Sequence, residues 1–116
     1  MTANLPFTEK RPWGEFRQFA SDENVTVKIV TVKKGESLSL QKHNKRSEFW
    51  KILSGTPRVT SGENITEAKV GDEFDIGVGA LHRVESVSGD VEFLEISRGK
   101  FEEGDIERFL DKYGRT

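Results

Sequence analysis

His43 and His82 are the only imidazoles in the chain, and His43 stands among groups that ligate metals. Gln41 lies two residues before His43 and Glu48 five residues after it, in the stretch GESLSLQKHNKRSE over positions 35–48. Residues two apart in a strand project from one face. An extended SLQKH therefore points the Gln41 amide and the His43 imidazole the same way. By the same parity Glu48, Trp50 and Ile52 share a face of the next run, and His82 opens the run HRVESV after the glycine-rich GVGAL. Three segments can thus bring two imidazoles, a carboxylate and an amide oxygen to one point. Such a set suits zinc, iron, manganese or nickel, and two histidines with a carboxylate also form the facial set of non-haem iron oxygenases. The competing reading is that each histidine only hydrogen-bonds within a polar loop.

Two further ionisable residues invite attention. Lys28 interrupts the apolar and threonine-rich run VTVKIVTV, so its ammonium either snorkels outward or faces the interior. A buried lysine needs a partner and can have a lowered pKa, which suits proton transfer. Glu95 shares strand parity with Val91 and Phe93, and Glu85 shares it with Arg83. Parity alone does not say which face lines a pocket. Trp13 and Trp50 read as core or pocket wall, with tryptophan also able to stack on a sugar face.

These residues sit on short β-type runs separated by turn signals. VTVKIVTV (Val25 to Val32) ends at Lys33-Lys34-Gly35, and SEFWKIL (Ser47 to Leu53) at Ser54-Gly55. PRVT, DEFDI, HRVESV and VEFLEIS follow, each closed by a glycine-containing turn. Strands at roughly ten-residue spacing predict an all-β sandwich or barrel and not βαβ units. The tail departs from the pattern. Ile106, Phe109, Leu110 and Tyr113 fall at helical spacing, which predicts a short C-terminal helix capped by Asp105 and ended by Gly114. There is no internal linker or repeat, so residues 1–116 are expected to form one domain.

Composition narrows the class. The 116 residues contain 33% charged and 34% hydrophobic side chains with a net charge of −2, an ordinary globular balance that does not suggest nucleic-acid binding. No run is long and apolar enough to span a membrane, and the N-terminus lacks the apolar stretch of a signal peptide. With no cysteine there is no disulfide framework or thiolate nucleophile, and the default expectation is a cytoplasmic protein.

Taken together, the spacing is Gly35-x5-Gln41-x-His43-x4-Glu48-x6-Gly55 and then Gly71-x5-Gly77-x-Gly79-x2-His82. It resembles the two signature motifs of the cupin superfamily, here over about residues 35–55 and 71–86. Gln41, Gly77 and Ser86 stand where those motifs usually have histidine, proline and asparagine. RPWGEF near the start, SLSLQKHNKRSEFW in the first motif and DIERFLDKYGR at the end look like the type II mannose-6-phosphate isomerases. These are the cupin module often fused behind a mannose-1-phosphate guanylyltransferase. Glutamine is usual in that family at the position of Gln41.

The resemblance implies an antiparallel β-barrel or jelly roll holding one divalent metal, zinc first, on Gln41, His43, Glu48 and His82. It implies interconversion of mannose 6-phosphate and fructose 6-phosphate, with Lys28 and Glu95 as catalytic candidates. Arg11, Arg46, Arg83, Arg108 and Arg115 fall in the matched motifs as candidate phosphate contacts, with Trp50 as a further substrate contact. A homodimer is implied as well. Phe49 replaces the histidine usual in EHW, and Gly104 and Leu110 replace acidic residues. Those changes leave open a non-catalytic sugar-phosphate-binding cupin acting with a separate nucleotidyltransferase. Iron-dependent oxygenation is a third reading, disfavoured by the arginines.

Overall fold

A computed structural model of the chain describes residues 6–111 and 113–115. Its strands are β1 (Phe7–Arg11), β2 (Gly14–Gln18), β3 (Val25–Val32), β4 (Leu40–Lys42), β5 (Arg46–Ser54) and β6 (Arg58–Ser61). They continue with β7 (Asn64–Glu67), β8 (Glu73–Ile76), β9 (His82–Glu85), β10 (Val91–Gly99) and β11 (Glu107–Leu110). Four strands form one sheet in the order β3-β10-β5-β8, and five form a second in the order β11-β4-β9-β6-β7. Every pairing is antiparallel. The all-β cupin fold expected from the sequence is therefore the fold observed, and no described helix is long and apolar enough to cross a membrane.

Alternation sets the core. In β3 the outward Val27, Ile29 and Thr31 are exposed while Thr26, Lys28, Val30 and Val32 turn inward. In β5 Arg46, Glu48, Trp50 and Ile52 turn inward, and in β10 Val91, Phe93, Glu95 and Ser97 do so. The register stacks these residues in rows across the sheet: Val30–Phe93–Ile52, then Lys28–Glu95–Trp50, then Thr26–Ser97–Glu48. The apolar row joins Val59, Val84 and Ile76 in a dry core at one end of the barrel. The polar rows occupy the other end. One barrel thus has an apolar floor and a chemically equipped mouth.

The C-terminal helix is not formed. Residues Glu107–Leu110 are a strand, β11, paired with β4. A helix this short is marginal alone, whereas β4 offers a row of backbone groups that β11 satisfies. Ile106 and Arg108 are half-buried and face the barrel while Glu107 and Phe109 are exposed, a period of two. The apparent helical spacing of Ile106, Phe109, Leu110 and Tyr113 spreads over both faces, and Phe109, Leu110 and Tyr113 stay exposed.

The β1–β2 hairpin pairs only with itself and is largely exposed, with Trp13 at its tip 73% accessible. Its root is anchored. Arg17 reaches Glu73 on β8 with both guanidinium nitrogens, Phe19 packs on Phe49 at 5.6 Å between ring centroids, and Arg98 donates to the Phe19 carbonyl.

Candidate metal centre

Both sheets contribute to the site. Gln41 on β4 lies directly opposite His82 on β9, so their side chains share a face of the five-stranded sheet. His43 follows β4, and Glu48 comes from β5 in the facing sheet. His43, Glu48 and His82 are all buried, and one ligand atom from each lies within 4.8 Å of the others. The Glu48 carboxylate is 3.3 Å from His43 Nε2 and 3.9 Å from His82 Nε2. The two imidazole centroids are 4.9 Å apart.

Hydrogen bonds fix which nitrogen faces inward. A carbonyl can only accept, so His43 Nδ1–H donates to the Asp105 carbonyl at 2.6 Å and His82 Nδ1–H donates to the Ala80 carbonyl at 2.9 Å. Each Nε2 is then the unprotonated nitrogen, on the side of the ring near Glu48, the tautomer that second-shell carbonyls impose on metal-ligating histidines. His82 Nε2 is buried and has no hydrogen-bond partner among the described residues. Burial also lowers the His82 pKa, with the Ala80 carbonyl and Glu48 opposing, which favours the neutral ring a metal needs. An orphaned buried lone pair beside a second imidazole and a carboxylate fits a divalent cation. Gln41 Oε1 accepts from Ser39 Oγ at 3.3 Å, so the amide oxygen of the fourth candidate retains acceptor capacity.

Gln41, His43 and Glu48 open into a cavity of about 310 Å³, while His82 lies buried behind them and does not line it. Lys28, Glu95, Arg46, Arg108 and Arg115 all line it, together with Gln41, His43 and Glu48. Glu95 faces Lys28 across the β3–β10 ladder. Burial, and then repulsion from Glu48, lift its pKa to about 7 against the pull of Lys28 and Arg46. Arg46 is buried, donating from Nε to Glu48 at 3.2 Å, from Nη1 to the Glu102 carbonyl at 3.3 Å and from Nη2 to His43 Nε2 at 3.3 Å.

Three sequence candidates lie elsewhere. Arg11 is on the exposed hairpin, donating to Glu9 at 3.0 Å. Arg83 is 3.4 Å from Glu85 and does not line the cavity. Trp50 is in the core under the site, where its indole N–H donates to Glu48 at 2.9 Å and so fixes the carboxylate. Phe49 projects from the other face of β5 onto Phe19, so its replacement of a histidine leaves the cavity untouched.

Two residues escaped the sequence reading. The Asp105 carboxylate accepts the backbone N–H groups of Asn44 and Lys45, both at 2.9 Å, while its carbonyl orients His43. Its capping chemistry was legible, but the segment it caps is the β4–β5 turn and not a helix. Phe101 carries the Lys28 ammonium 4.4 Å and the Arg46 guanidinium 4.3 Å from its ring centroid, and an isolated aromatic in a loop gives no signal of that.

The sequence model of the family described as mannose-6-phosphate isomerase C-terminal matches residues 3–111. The chain is 40% identical over 108 residues to the alginate biosynthesis protein AlgA of Pseudomonas putida, covering 91% of this chain and 22% of that protein. It is 37% identical, with the same coverage, to the mannose-1-phosphate guanylyltransferase ManC of Salmonella typhimurium. The chain thus spans about a fifth of the length of these relatives. Among solved structures, oxalate decarboxylase of Bacillus subtilis superposes with a TM-score of 0.67 at 25% identity, over 75% of this chain and 24% of that one.

Proposed function

Because the chain belongs to the mannose-6-phosphate isomerase C-terminal family, we propose that it is a metal-dependent isomerase interconverting mannose 6-phosphate and fructose 6-phosphate. The observation that carries this reading is one cavity that reaches a buried ligand cluster through His43 and Glu48 and is also lined by a carboxylate of pKa about 7 and several cations.

Gln41, His43, Glu48 and His82 would hold the metal, zinc by the donor chemistry. When bound it supplies Lewis-acid polarisation of the sugar's carbonyl and hydroxyl oxygens. Glu95 is the base: its carboxylate takes the C2 proton of the open-chain aldose, and the resulting acid returns a proton to C1 of the enediolate, while the O2 proton ends on O1. A carboxyl near pKa 7 can do both at neutral pH. Lys28, opposite Glu95, offsets charge as the enediolate forms. Arg46, Arg108 and Arg115 are the phosphate contacts that line the cavity. Arg11, Arg83 and Trp50 have no place in this reading as direct contacts.

The test is a coupled assay of fructose 6-phosphate formation before and after chelation, with zinc returned. Turnover lost and restored is the expected result. Saturable sugar-phosphate binding without turnover at any metal loading would instead favour the non-catalytic binder.

The reading includes a homodimer. Its support is the edge position of β3, whose outer backbone edge an antiparallel strand of a second copy would pair, beside the exposed Val27 (58%) and Ile29 (63%) of its outer face.

A further inference from the structure

Arg46 occupies a position at odds with simple metal ligation. Its Nη2–H donates to His43 Nε2, the nitrogen that must face the metal, because His43 Nδ1–H is committed to the Asp105 carbonyl. A neutral imidazole has one lone pair. That pair can accept an arginine N–H or bind a cation, and it cannot do both. A guanidinium also cannot step aside by losing its proton, since it stays charged at any relevant pH. Metal binding at His43 therefore requires Arg46 to release it.

Release leaves a buried cationic donor without an acceptor, which is costly unless one is supplied. Arg46 is 8% exposed, and its other contacts hold it in place: Glu48 through Nε, the Glu102 carbonyl through Nη1 and the Phe101 ring beneath the guanidinium. The freed Nη2 borders a cavity lined by Lys28, Arg108 and Arg115 as well as by Glu48, Glu95 and Glu103, so that with Arg46 four cations stand against three carboxylates. A phosphate oxygen is the acceptor guanidinium geometry suits best.

We propose that the metal and Arg46 compete for the His43 lone pair, so that metal loading transfers an Arg46 N–H from His43 to a phosphate-class anion and makes the two ligands bind cooperatively. This rests on the metal reading given above. It adds a direction of coupling: metal first weakens one internal contact, and the anion replaces it. By linkage, phosphate must strengthen metal binding by the same factor that metal strengthens phosphate binding.

The experiment measures zinc affinity by competition with a chromophoric chelator, with and without inorganic phosphate, in wild-type protein and Arg46→Gln. Phosphate should tighten zinc binding to the wild type by roughly tenfold, within the usual range of such couplings. Without phosphate, Arg46→Gln should bind zinc about fivefold tighter than wild type, since the repelling charge is gone and a shorter, neutral amide is a weaker competitor for the His43 lone pair. Phosphate should then have no further effect. Equal or weaker zinc binding in Arg46→Gln overturns the proposal, and so does a phosphate effect that persists in that variant, because the anion would then be acting on the metal itself. If the variant does not fold, calorimetric titration of phosphate into metal-free and zinc-loaded wild type decides: equal affinities overturn the proposal. Wild-type protein that takes up no zinc would sink the metal reading, whereas zinc uptake with unchanged affinity in Arg46→Gln removes only the competition.

Discussion

Glu48 and Glu95 are both buried on the inner face of one sheet, yet their surroundings assign them different work. Glu48 accepts from the Trp50 indole and the Arg46 guanidinium, which fix the orientation of its carboxylate toward the two imidazoles. Glu95 has only a long contact from Ser97 Oγ, and burial raises its pKa to about 7. Two outcomes follow at this scale. Isomerisation should rise through about pH 7 as Glu95 ionises, and Glu95→Gln should lower kcat by about 10²–10⁴ while sugar-phosphate binding persists. In the metal-free protein the same group sets a stability slope. Unfolded, a glutamate titrates near pH 4.3, so between that value and about 7 the unfolded chain loses its proton first and stability falls as pH rises, by about 4 kcal/mol in all. Denaturant titrations of wild type and Glu95→Gln at pH 5 and 8 should show that fall in the former and its loss in the latter. His82→Ala should abolish zinc retention and turnover together while circular dichroism still reports a β-barrel. The spacing of Gln41, His43 and Glu48 and the position of His82 made the ligand cluster legible in the sequence. The base was not legible, because strand parity pairs residues on a face without saying which face is wet.

The connection from Lys100 to Ile106 contributes Glu103 and Ile106 to the cavity wall. Gly99, at φ 109°, lets it leave β10 where a side chain would meet the Lys45 carbonyl at 2.6 Å. Asp105 ties it to the β4–β5 turn with two backbone hydrogen bonds, which also hold the Asp105 carboxylate below its usual pKa. Asp105→Ala should therefore lower stability and weaken zinc binding by roughly 10-fold or more, since this connection also presents the carbonyl that orients His43. Competition with a chelator checks the second effect and chemical denaturation the first. Most strands were readable: Val25–Val32 was predicted residue for residue, and β5, β6, β8, β9 and β10 within a few residues. The strands missed are β7 within the chain and β1, β2 and β11 at its ends. There β1, β2 and β11 carry little apolar alternation, and pairing with a neighbour, not burial, makes them strands. Propensity and periodicity are blind to a partner distant in sequence.

Across the whole molecule, the β1–β2 hairpin and the outer face of β3 are the parts the barrel does not use. Light scattering on purified protein should give twice the chain mass, and Ile29→Lys on the edge strand should return it to the monomer without changing the cavity. An unaltered mass in that variant would move the interface elsewhere. The division of the ligands between sheets has a different consequence. Gln41 and His82 belong to one sheet and Glu48 to the other, so a bound ion is a clasp between two halves that otherwise cohere through packing at the far end of the barrel. At a hundred times its dissociation constant such an ion adds about 2.7 kcal/mol to the folded state. Loaded and empty copies of one sequence would then have different lifetimes against a protease. Degradation would sort the population by metal content, keeping the charged molecules and clearing the vacant ones.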